Sequence, residues 1–395
     1  MNLNESPRGN RIHIGLFGRT NSGKSSIMNA LTGQKVALVS EYKGTTTDPV
    51  YKAIELHPIG PCVIIDTAGF DDESLLGAHR VEATKKVLDK TDIALVLLTN
   101  EDILQEKKWI NLLQEKNIPI IPIINKVDVI LDVDSLSTKI KKETSLNPIQ
   151  VSAKEQINLD KIREAIGEIA GSFIEPSICA HLVKDGDVVL LVMPQDIQAP
   201  KGRLILPQVQ TIRDLLDNKC IVLSVTADKV STTLEKLKAP PQLIITDSQV
   251  FPEVYAIKPK ESRLTSFSVL FSRYKGDIDA FTQGAYWLDS LKAGDKVLIA
   301  EACSHNPLDG DIGRVKLPAM IHKKIHPDIT VEVVSGNDFP ENLTPYTLII
   351  HCGSCMFNRK HVLSRIEQAK AQHIPITNYG IAIAHMNGIL DKIEK

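Results

Sequence analysis

Two sets of residues in this sequence have the types and spacing to do chemistry. The first is Gly18-Arg19-Thr20-Asn21-Ser22-Gly23-Lys24-Ser25, which fits G-x-x-x-x-G-K-S/T at every position. Glycines there let the backbone curl so that its N–H groups face a phosphate, and the start of the next helix adds positive potential. Lys24 would reach the β- and γ-phosphates of a nucleotide, and the Ser25 hydroxyl would ligate Mg2+. Gly18 through Ser26 is therefore taken as phosphate-binding. The second set is Cys352-Gly353-Ser354-Cys355 with Cys303 and His305. Two thiols three positions apart can close on one metal centre, and a third thiol with a nearby imidazole could complete it.

Further segments fit the first set. Val63-Ile64-Ile65-Asp66-Thr67-Ala68-Gly69 reads as a buried strand ending in Asp-Thr-Ala-Gly. Asp66 would hold Mg2+ through water, and the Gly69 N–H would sense the γ-phosphate. Ile120 to Ile124 is a strand ending in Asn125-Lys126-Val127-Asp128. The Asp128 carboxylate can accept both hydrogen bonds from the guanine amidine edge, which adenine cannot donate. Ser152-Ala153-Lys154 would close over the guanine O6. In Gly44-Thr45-Thr46-Thr47-Asp48, a threonine can complete the Mg2+ shell only while the γ-phosphate remains, which makes the segment a switch. Thr46 is the expected residue and Thr45 the alternative. Lys24, Thr46 and Gly69 are the residues expected to act in hydrolysis.

The elements that must carry these groups alternate. Arg11 to Phe17 reads as a strand, followed by a helix with Ile27, Met28 and Leu31 on one face and Gly33 near its end. Strand Ile93 to Leu98 lies between helical patterns at Ala78 to Lys90 and near Trp109 to Lys116, and Leu159 to Phe173 reads as a closing helix. Alternation of this kind predicts a doubly wound α/β domain. After Glu175-Pro176-Ser177, strands at Asp187 to Met193, Cys220 to Thr226 and Gln242 to Thr246 alternate with helices at Gln208 to Asn218 and Lys229 to Leu237. That unit is small, so a partner subunit is expected to complete its burial.

From residue 263 onward, Ile278 to Leu291 reads as a helix. The strand Asp295 to Ala300 delivers Cys303 and His305, and Tyr346 to Ile350 delivers Cys352 and Cys355. Strand Ile329 to Val334, helix Arg359 to Gln372, strand Pro375 to Thr377 and a last helix complete the pattern. In an open parallel sheet, ligands collect beyond the carboxyl ends of the strands, so all four candidate ligands can meet at one edge. The expected organisation is α/β throughout: a P-loop domain over 1–172, a pairing domain over 173–262 and a metal-cluster domain over 263–395.

Composition narrows the partners. The 395 residues are 43% hydrophobic and carry 46 Lys+Arg against 48 Asp+Glu, a formal charge of -2. That balance gives no electrostatic footprint for nucleic acid or an anionic membrane. The first residues lack an apolar core, and no apolar run approaches a membrane span, so a cytoplasmic chain without a signal peptide is expected. Six cysteines are few for a disulfide scaffold, and a cluster of them reads first as metal-binding. Cys62, Cys179 and Cys220 are expected to be inert core thiols.

The nucleotide-binding part resembles the TrmE/Era-type GTPases on all five of its motifs. In potassium-activated members of that group, an Asn at the place of Asn21 helps bind K+, and the segment Ser40 to Thr46 matches the loop that encloses it. A K+ there would supply the charge that an arginine finger supplies elsewhere. Phe70 stands where Ras-like enzymes carry a water-orienting Gln. Hydrolysis of GTP to GDP is thus expected to depend on K+, a partner or a nearby polar residue among Asp71, Asp72 and Glu73.

With Cys303-Ser304-His305 and Cys352-Gly353-Ser354-Cys355 added, the whole chain resembles the HydF family of [FeFe]-hydrogenase maturation GTPases. The resemblance implies a [4Fe-4S] cluster on Cys303, Cys352 and Cys355 and a homodimer formed through the middle domain. It also implies a scaffold role: receiving a diiron subcluster precursor from radical-SAM maturases and delivering it to apo-[FeFe]-hydrogenase. The fourth cluster ligand stays open between His305, His351, a carboxylate such as Glu301, and solvent. The competing reading is a GTPase of RNA modification or ribosome assembly with a structural Cys3His zinc site.

Overall fold

The computed structural model describes residues 8–33, 49–57, 59–69, 77–173, 176–194, 204–302, 311–336, 338–354 and 357–395. The chain divides into two compact units, Met1–Ile174 and Glu175–Lys395.

The first unit is built on six strands: β1 (Ile12–Gly18), β2 (Val50–Leu56), β3 (Gly60–Asp66), β4 (Ile93–Leu98), β5 (Ile120–Ile124) and β6 (Ile149–Gln150). Their order across the sheet is β2-β3-β1-β4-β5-β6. Only the pairing of β2 with β3 is antiparallel. The described helices between them are α1 (Lys24–Thr32), α2 (Gly77–Leu88), α3 (Leu104–Glu115), α4 (Val133–Thr144) and α5 (Leu159–Gly171).

Strand β4 explains why the sheet is covered on both faces. All six of its residues are apolar and buried. Ile93, Leu95 and Leu97 join Ile27 and Met28 of α1 and Ile162 and Ile166 of α5 in one core. Ala94, Val96 and Leu98 join Trp109 and Leu113 of α3 and Ile140 of α4 in the other. Each fully buried Leu or Ile contributes about 1.5–3 kcal/mol, so a strand with both faces occupied must be apolar throughout. Helix α1 ends at Gly33, whose φ of 65° is the left-handed C-cap expected from its position.

Strand β2 and helix α4 go beyond the sequence reading. Strand β2 is an edge strand with half-exposed residues, so it lacks the apolar run that marks its neighbours. Helix α4 has its own local code. The Asp132 carboxylate accepts a hydrogen bond from Ser135 N at 2.9 Å as N-cap, and Leu136, Ile140 and Thr144 share the buried face.

The second unit holds two four-stranded parallel sheets. Strands β7 (Val188–Val192), β8 (Ile221–Val225), β9 (Leu243–Thr246) and β10 (Arg263–Ser266) form one, in the order β10-β9-β7-β8. Strands β11 (Lys296–Glu301), β12 (Thr330–Ser335), β13 (Leu348–His351) and β14 (Ile376–Asn378) form the other, ordered β12-β11-β13-β14. The helices are α6 (Leu206–Asp217), α7 (Val230–Lys236), α8 (Phe251–Ile257), α9 (Phe267–Lys275), α10 (Ile278–Tyr286), α11 (Leu317–Lys324), α12 (Arg359–Ala371) and α13 (Tyr379–Met386).

The fourth strand of the first of these sheets comes from beyond residue 262. The helical pattern around Val269 to Phe271 obscures a strand of four residues, Arg263 to Ser266, directly before it. Part of the burial of this sheet is supplied within the chain. Val189, Leu191, Leu243 and Ile245 pack with Leu215, Leu270 and Phe271 on one face. Leu190, Val192, Ile244 and Leu264 share a continuous core with Val297, Ile299, Leu348 and Ile350 of the other sheet. The apolar residues of the two sheets thus belong to one core, which also takes in Phe251, Val269, Phe281 and Ile381 from the helices. Cys179 and Cys220 are buried in the first of these cores, and Cys62 lies in that of the first unit. Burial pushes the Cys62 thiol up to about 12 and raises Cys179 further, as unreactive core thiols require.

Candidate nucleotide and metal-cluster sites

The strand order of the first unit reverses at β1, whose neighbours are β3 and β4. A crevice outside the carboxyl ends of strands opens at such a point. Gly18 to Gly23 leaves β1 there and turns into α1. Ser22 N donates to Arg19 O at 3.2 Å, Asn21 has φ 62° and Gly23 φ 94°. A Cβ on Gly23 would run into the Asn125 amide nitrogen. Gly23→Ala is therefore expected to destabilise the first unit by at least ~1–2 kcal/mol, the cost of left-handed backbone with a side chain. Thermal unfolding of the variant measures it, and an unchanged midpoint would contradict the packing described here.

Lys24 is 7% exposed. Its ammonium folds back over the loop and donates to Gly18 O and Arg19 O, both at 2.8 Å. The Ser25 hydroxyl donates to Asp66 Oδ2 at 2.5 Å. Asp66 is fully buried at the end of β3, and its Oδ1 has no hydrogen-bond partner. Burial raises its pKa, with the Ser25 hydrogen bond and the Lys24 charge opposing. A buried carboxylate oxygen without a partner, beside a serine hydroxyl, is a donor set suited to a hard divalent cation. Thr67 pins the following turn to β1 by donating from Oγ1 to Leu16 O at 2.6 Å. Gly69 lies against Thr20, where a Cβ would collide with the loop backbone.

The base end is built from β5 and β6. Asn125 Nδ2 donates to Ser22 O at 2.9 Å, and its Oδ1 accepts from Ala153 N at 3.2 Å. One side chain thus ties the phosphate loop to the residues after both strands. The Ser152 hydroxyl donates to Asp128 Oδ1 at 2.6 Å, which lowers the Asp128 pKa and keeps it ionised. Lys126 takes the left-handed φ of 66° between Asn125 and Asp128, and Lys154 is exposed beside Glu155.

Sequence reasoning missed how Arg19 is used. Its Nε donates to Glu106 Oε1 at 2.8 Å, and a terminal nitrogen reaches Asp102 O at 2.7 Å. Glu106 is 2% exposed, so this pair anchors the loop to the first turn of α3 through the side chain. Asp102 to Glu106 carries no motif, and only the fold brings it to the loop. Ser40 to Asp48, with Thr45 and Thr46, lies outside the described residues, as do Phe70, Asp71, Asp72 and Glu73.

The second candidate site is in the other unit. Strands β11 and β13 are parallel neighbours, with Ala300 opposite His351, and the order of their sheet reverses between them. Cys352 leaves β13 there. Its N–H donates to Ala300 O at 2.9 Å, and its Sγ accepts from Ala302 N at 3.0 Å. Ala302 is the chain neighbour of Cys303. Cys303, His305 and Cys355 lie outside the described residues. An N–H group aimed at a sulfur on adjacent strand ends is the kind of environment that suits a thiolate-bound cluster.

His351 is fully engaged. Arg365, which can only donate, contacts its Nε2 at 2.9 Å, so the proton sits on Nδ1. Nδ1 faces Cys352 O at 3.0 Å and the Ser354 hydroxyl at 2.9 Å. Burial, reinforced by the Arg365 charge, depresses its pKa to about 3. Both ring nitrogens are thus spent on shaping the Cys352–Ser354 turn, and His351 offers no lone pair to a metal in this arrangement. The Arg365 guanidinium lies between the rings of Phe339 and Phe357, 4.7 Å from each centroid. Glu301 ends β11, with its Oε2 accepting from Arg314 at 3.0 Å and from the Ser335 hydroxyl at 3.1 Å.

Both units have matches among known proteins. Residues 13–126 match the family model described as 50S ribosome-binding GTPase. The tRNA modification GTPase MnmE of Streptococcus agalactiae serotype Ia is 33% identical over 175 residues, 42% of this chain and 36% of the relative. MnmE of Heliobacterium modesticaldum is 37% identical over 155 residues, 38% of this chain and 32% of the relative. The chain thus spans about a third of the length of these relatives. A structure of Era in complex with MgGDPNP and a 16S ribosomal RNA segment is similar at 21% identity and a TM-score of 0.38, covering 54% of this chain and 91% of that one. Residues 178–276 match the hydrogen maturase F dimerization domain, and residues 279–395 its tetramerization domain. A P-loop GTPase domain followed by these two domains is the architecture of one family, and the chain belongs to it: the hydrogen maturase F (HydF) family.

Proposed function

We propose that this chain is a GTP-hydrolysing scaffold that carries a [4Fe-4S] cluster on Cys303, Cys352 and Cys355. The observation that supports it most directly is the Cys352 sulfur meeting the backbone of Ala302 at 3.0 Å, in a chain whose other unit builds a nucleotide site. In the first unit, backbone N–H groups of Gly18 to Ser26 cradle the phosphates. Lys24 moves from the Gly18 and Arg19 carbonyls to the β- and γ-phosphates. Ser25 and Asp66, with Thr46, would hold Mg2+, which when bound neutralises phosphate charge. Asn21 would contact K+ in the same role. Asp128, held ionised by Ser152, reads guanine together with Asn125 and the Ala153 segment.

In the second unit, the cluster, when bound, would supply an iron position open to exchange. The diiron precursor is cargo, received from radical-SAM maturases and passed to apo-[FeFe]-hydrogenase. Self-association goes with the dimerization and tetramerization domain matches. Strand β8 is an open sheet edge with Ile221 55% exposed, and Leu216 of the preceding helix is equally bare. Such an edge is suited to pairing with a second copy as a homodimer. No described helix is long and apolar enough to cross a membrane.

Metal analysis and visible absorbance of anaerobically purified protein test the reading. Iron with cluster absorbance is expected. A colourless protein with one zinc per chain would favour the RNA-modification reading that the MnmE relatives suggest. For the nucleotide site, Asp128→Asn is expected to erode guanine preference by roughly 10²-fold or more, because a pocket built to accept two N–H bonds loses one of them. Competition between GTP and XTP measures this, and unchanged GTP preference would count against the Asp128 assignment.

A further inference from the structure

The Arg19 side chain turns from the phosphate loop onto α3. Its Nε donates to Glu106 Oε1 at 2.8 Å, and one terminal nitrogen reaches Glu106 Oε2 at 3.2 Å, Asp102 Oδ2 at 3.2 Å and Asp102 O at 2.7 Å. Two N–H bonds from one guanidinium to one carboxylate fix an angle as well as a distance. Glu106 is buried, and burial raises its carboxyl pKa against the opposing Arg19 hydrogen bond and charge. A carboxylate buried there without a cation would be costly, so the two groups depend on each other.

This clamp grips one end of the loop. Arg19 O accepts from Lys24 Nζ at 2.8 Å and from Ser22 N at 3.2 Å, so the backbone and the side chain of this residue are both tied. The next residue, Thr20, lies against Gly69, where a Cβ would fall 2.5 Å from Thr20 N. Gly69 is the residue expected to sense the γ-phosphate, which puts Arg19 and Thr20 at that end of the loop. Farther along, Asn125 Nδ2 holds Ser22 O at 2.9 Å. The loop therefore has two anchors, Asn125 toward the base and Arg19 toward the γ-phosphate. When Lys24 gives up Arg19 O for the phosphates, the bonds to Glu106 and Asp102 remain to keep Arg19 in place.

We propose that Arg19, docked on Glu106 and Asp102, is a positioning residue for the γ-phosphate end of the loop and so sets both the preference for GTP over GDP and the rate of hydrolysis. The inference rests on the nucleotide reading above. A contact changes the relative affinity of two ligands only by what it does differently for each. GDP lacks the γ-phosphate and makes no use of the loop N–H groups aligned at that end. GTP and its transition state do, and donors fixed beforehand act without reorganisation.

The test titrates the full chain with GDP and with the non-hydrolysable analogue GMPPNP, and follows GTP turnover by phosphate release. Arg19→Lys keeps a charge beside Glu106 but loses the fork. It is expected to bind the analogue about tenfold more weakly and to hydrolyse GTP about tenfold more slowly, with GDP affinity and melting temperature near wild type. Glu106→Gln, which changes α3 and leaves the loop sequence intact, should move the same two readings in the same direction and spare GDP. It carries the test if Arg19→Lys fails to fold. Equal weakening of both nucleotides would overturn the inference, because a merely structural clamp affects the two alike. So would analogue affinity and turnover at wild-type values in the folded variants. A wild-type chain that binds neither nucleotide would defeat the nucleotide reading and this inference together.

Discussion

Lys24→Ala is expected to cut GTP turnover by roughly 10²–10³-fold, the usual effect of removing one preorganised charge from a transition state. The geometry explains why the loss should be large. Lys24 is 7% exposed and its ammonium is already held 2.8 Å from two loop carbonyls, so little reorganisation is needed to bring it onto a phosphate. Alanine would also leave the Gly18 and Arg19 carbonyls without that donor and open a small cavity. Lys24→Met keeps most of the volume and separates the two effects. If turnover depends on the charge, both variants lose it, while Met preserves the melting temperature better. Phosphate release in the presence of Mg2+ and K+ is the measurement. Turnover within a few-fold of wild type in either variant would remove Lys24 from the catalytic set. Cluster absorbance is expected to be unaffected, because the candidate cluster ligands belong to the other compact unit.

Cys352→Ser is expected to abolish stable cluster uptake on reconstitution, read as loss of visible absorbance and of bound iron, while GTP turnover stays near the wild-type rate. A serine hydroxyl can still accept from Ala302 N, so the turn should persist, but it is a poor ligand for iron beside soft thiolates. The backbone bond from residue 352 to Ala300 O is independent of the side chain. Far-UV circular dichroism and the melting temperature should therefore change little. A full complement of iron in this variant would sink the ligand assignment. Collapse of GTP turnover in a still-folded variant would show that the two sites are not separable.

Much of the nucleotide site was legible because its residues are contiguous in the chain. Gly18 to Ser25 needs only a strand before it and a helix after it, and the apolar pattern announces both. Asp66 and Asn125 follow strands that are apolar on both faces, which is the mark of a central parallel strand. Helix α4 and strand β2 were harder. The first relies on an Asp132 cap and sparse i, i+4 contacts. The second is a half-exposed edge, where hydrophobic patterning is weakest. The strand ends alone put the residues after β11 and β13 at one edge of a parallel sheet, while the fold decided that the two strands are neighbours, with β12 on the outer side of β11.

The sequence by itself carried the pattern of the chemistry: a phosphate loop, a carboxylate spaced to read guanine and thiols spaced for a metal. These depend on residue type and local spacing, which a chain carries in linear form. Tertiary structure alone decided how neighbouring groups are committed. Arg19 belongs to Glu106 because α3 begins beside the loop. His351 belongs to Arg365, which takes the lone pair that a metal would need. Each of these depends on side chains far apart in sequence meeting in a buried place, where an unmet hydrogen bond is costly and partners are therefore exclusive.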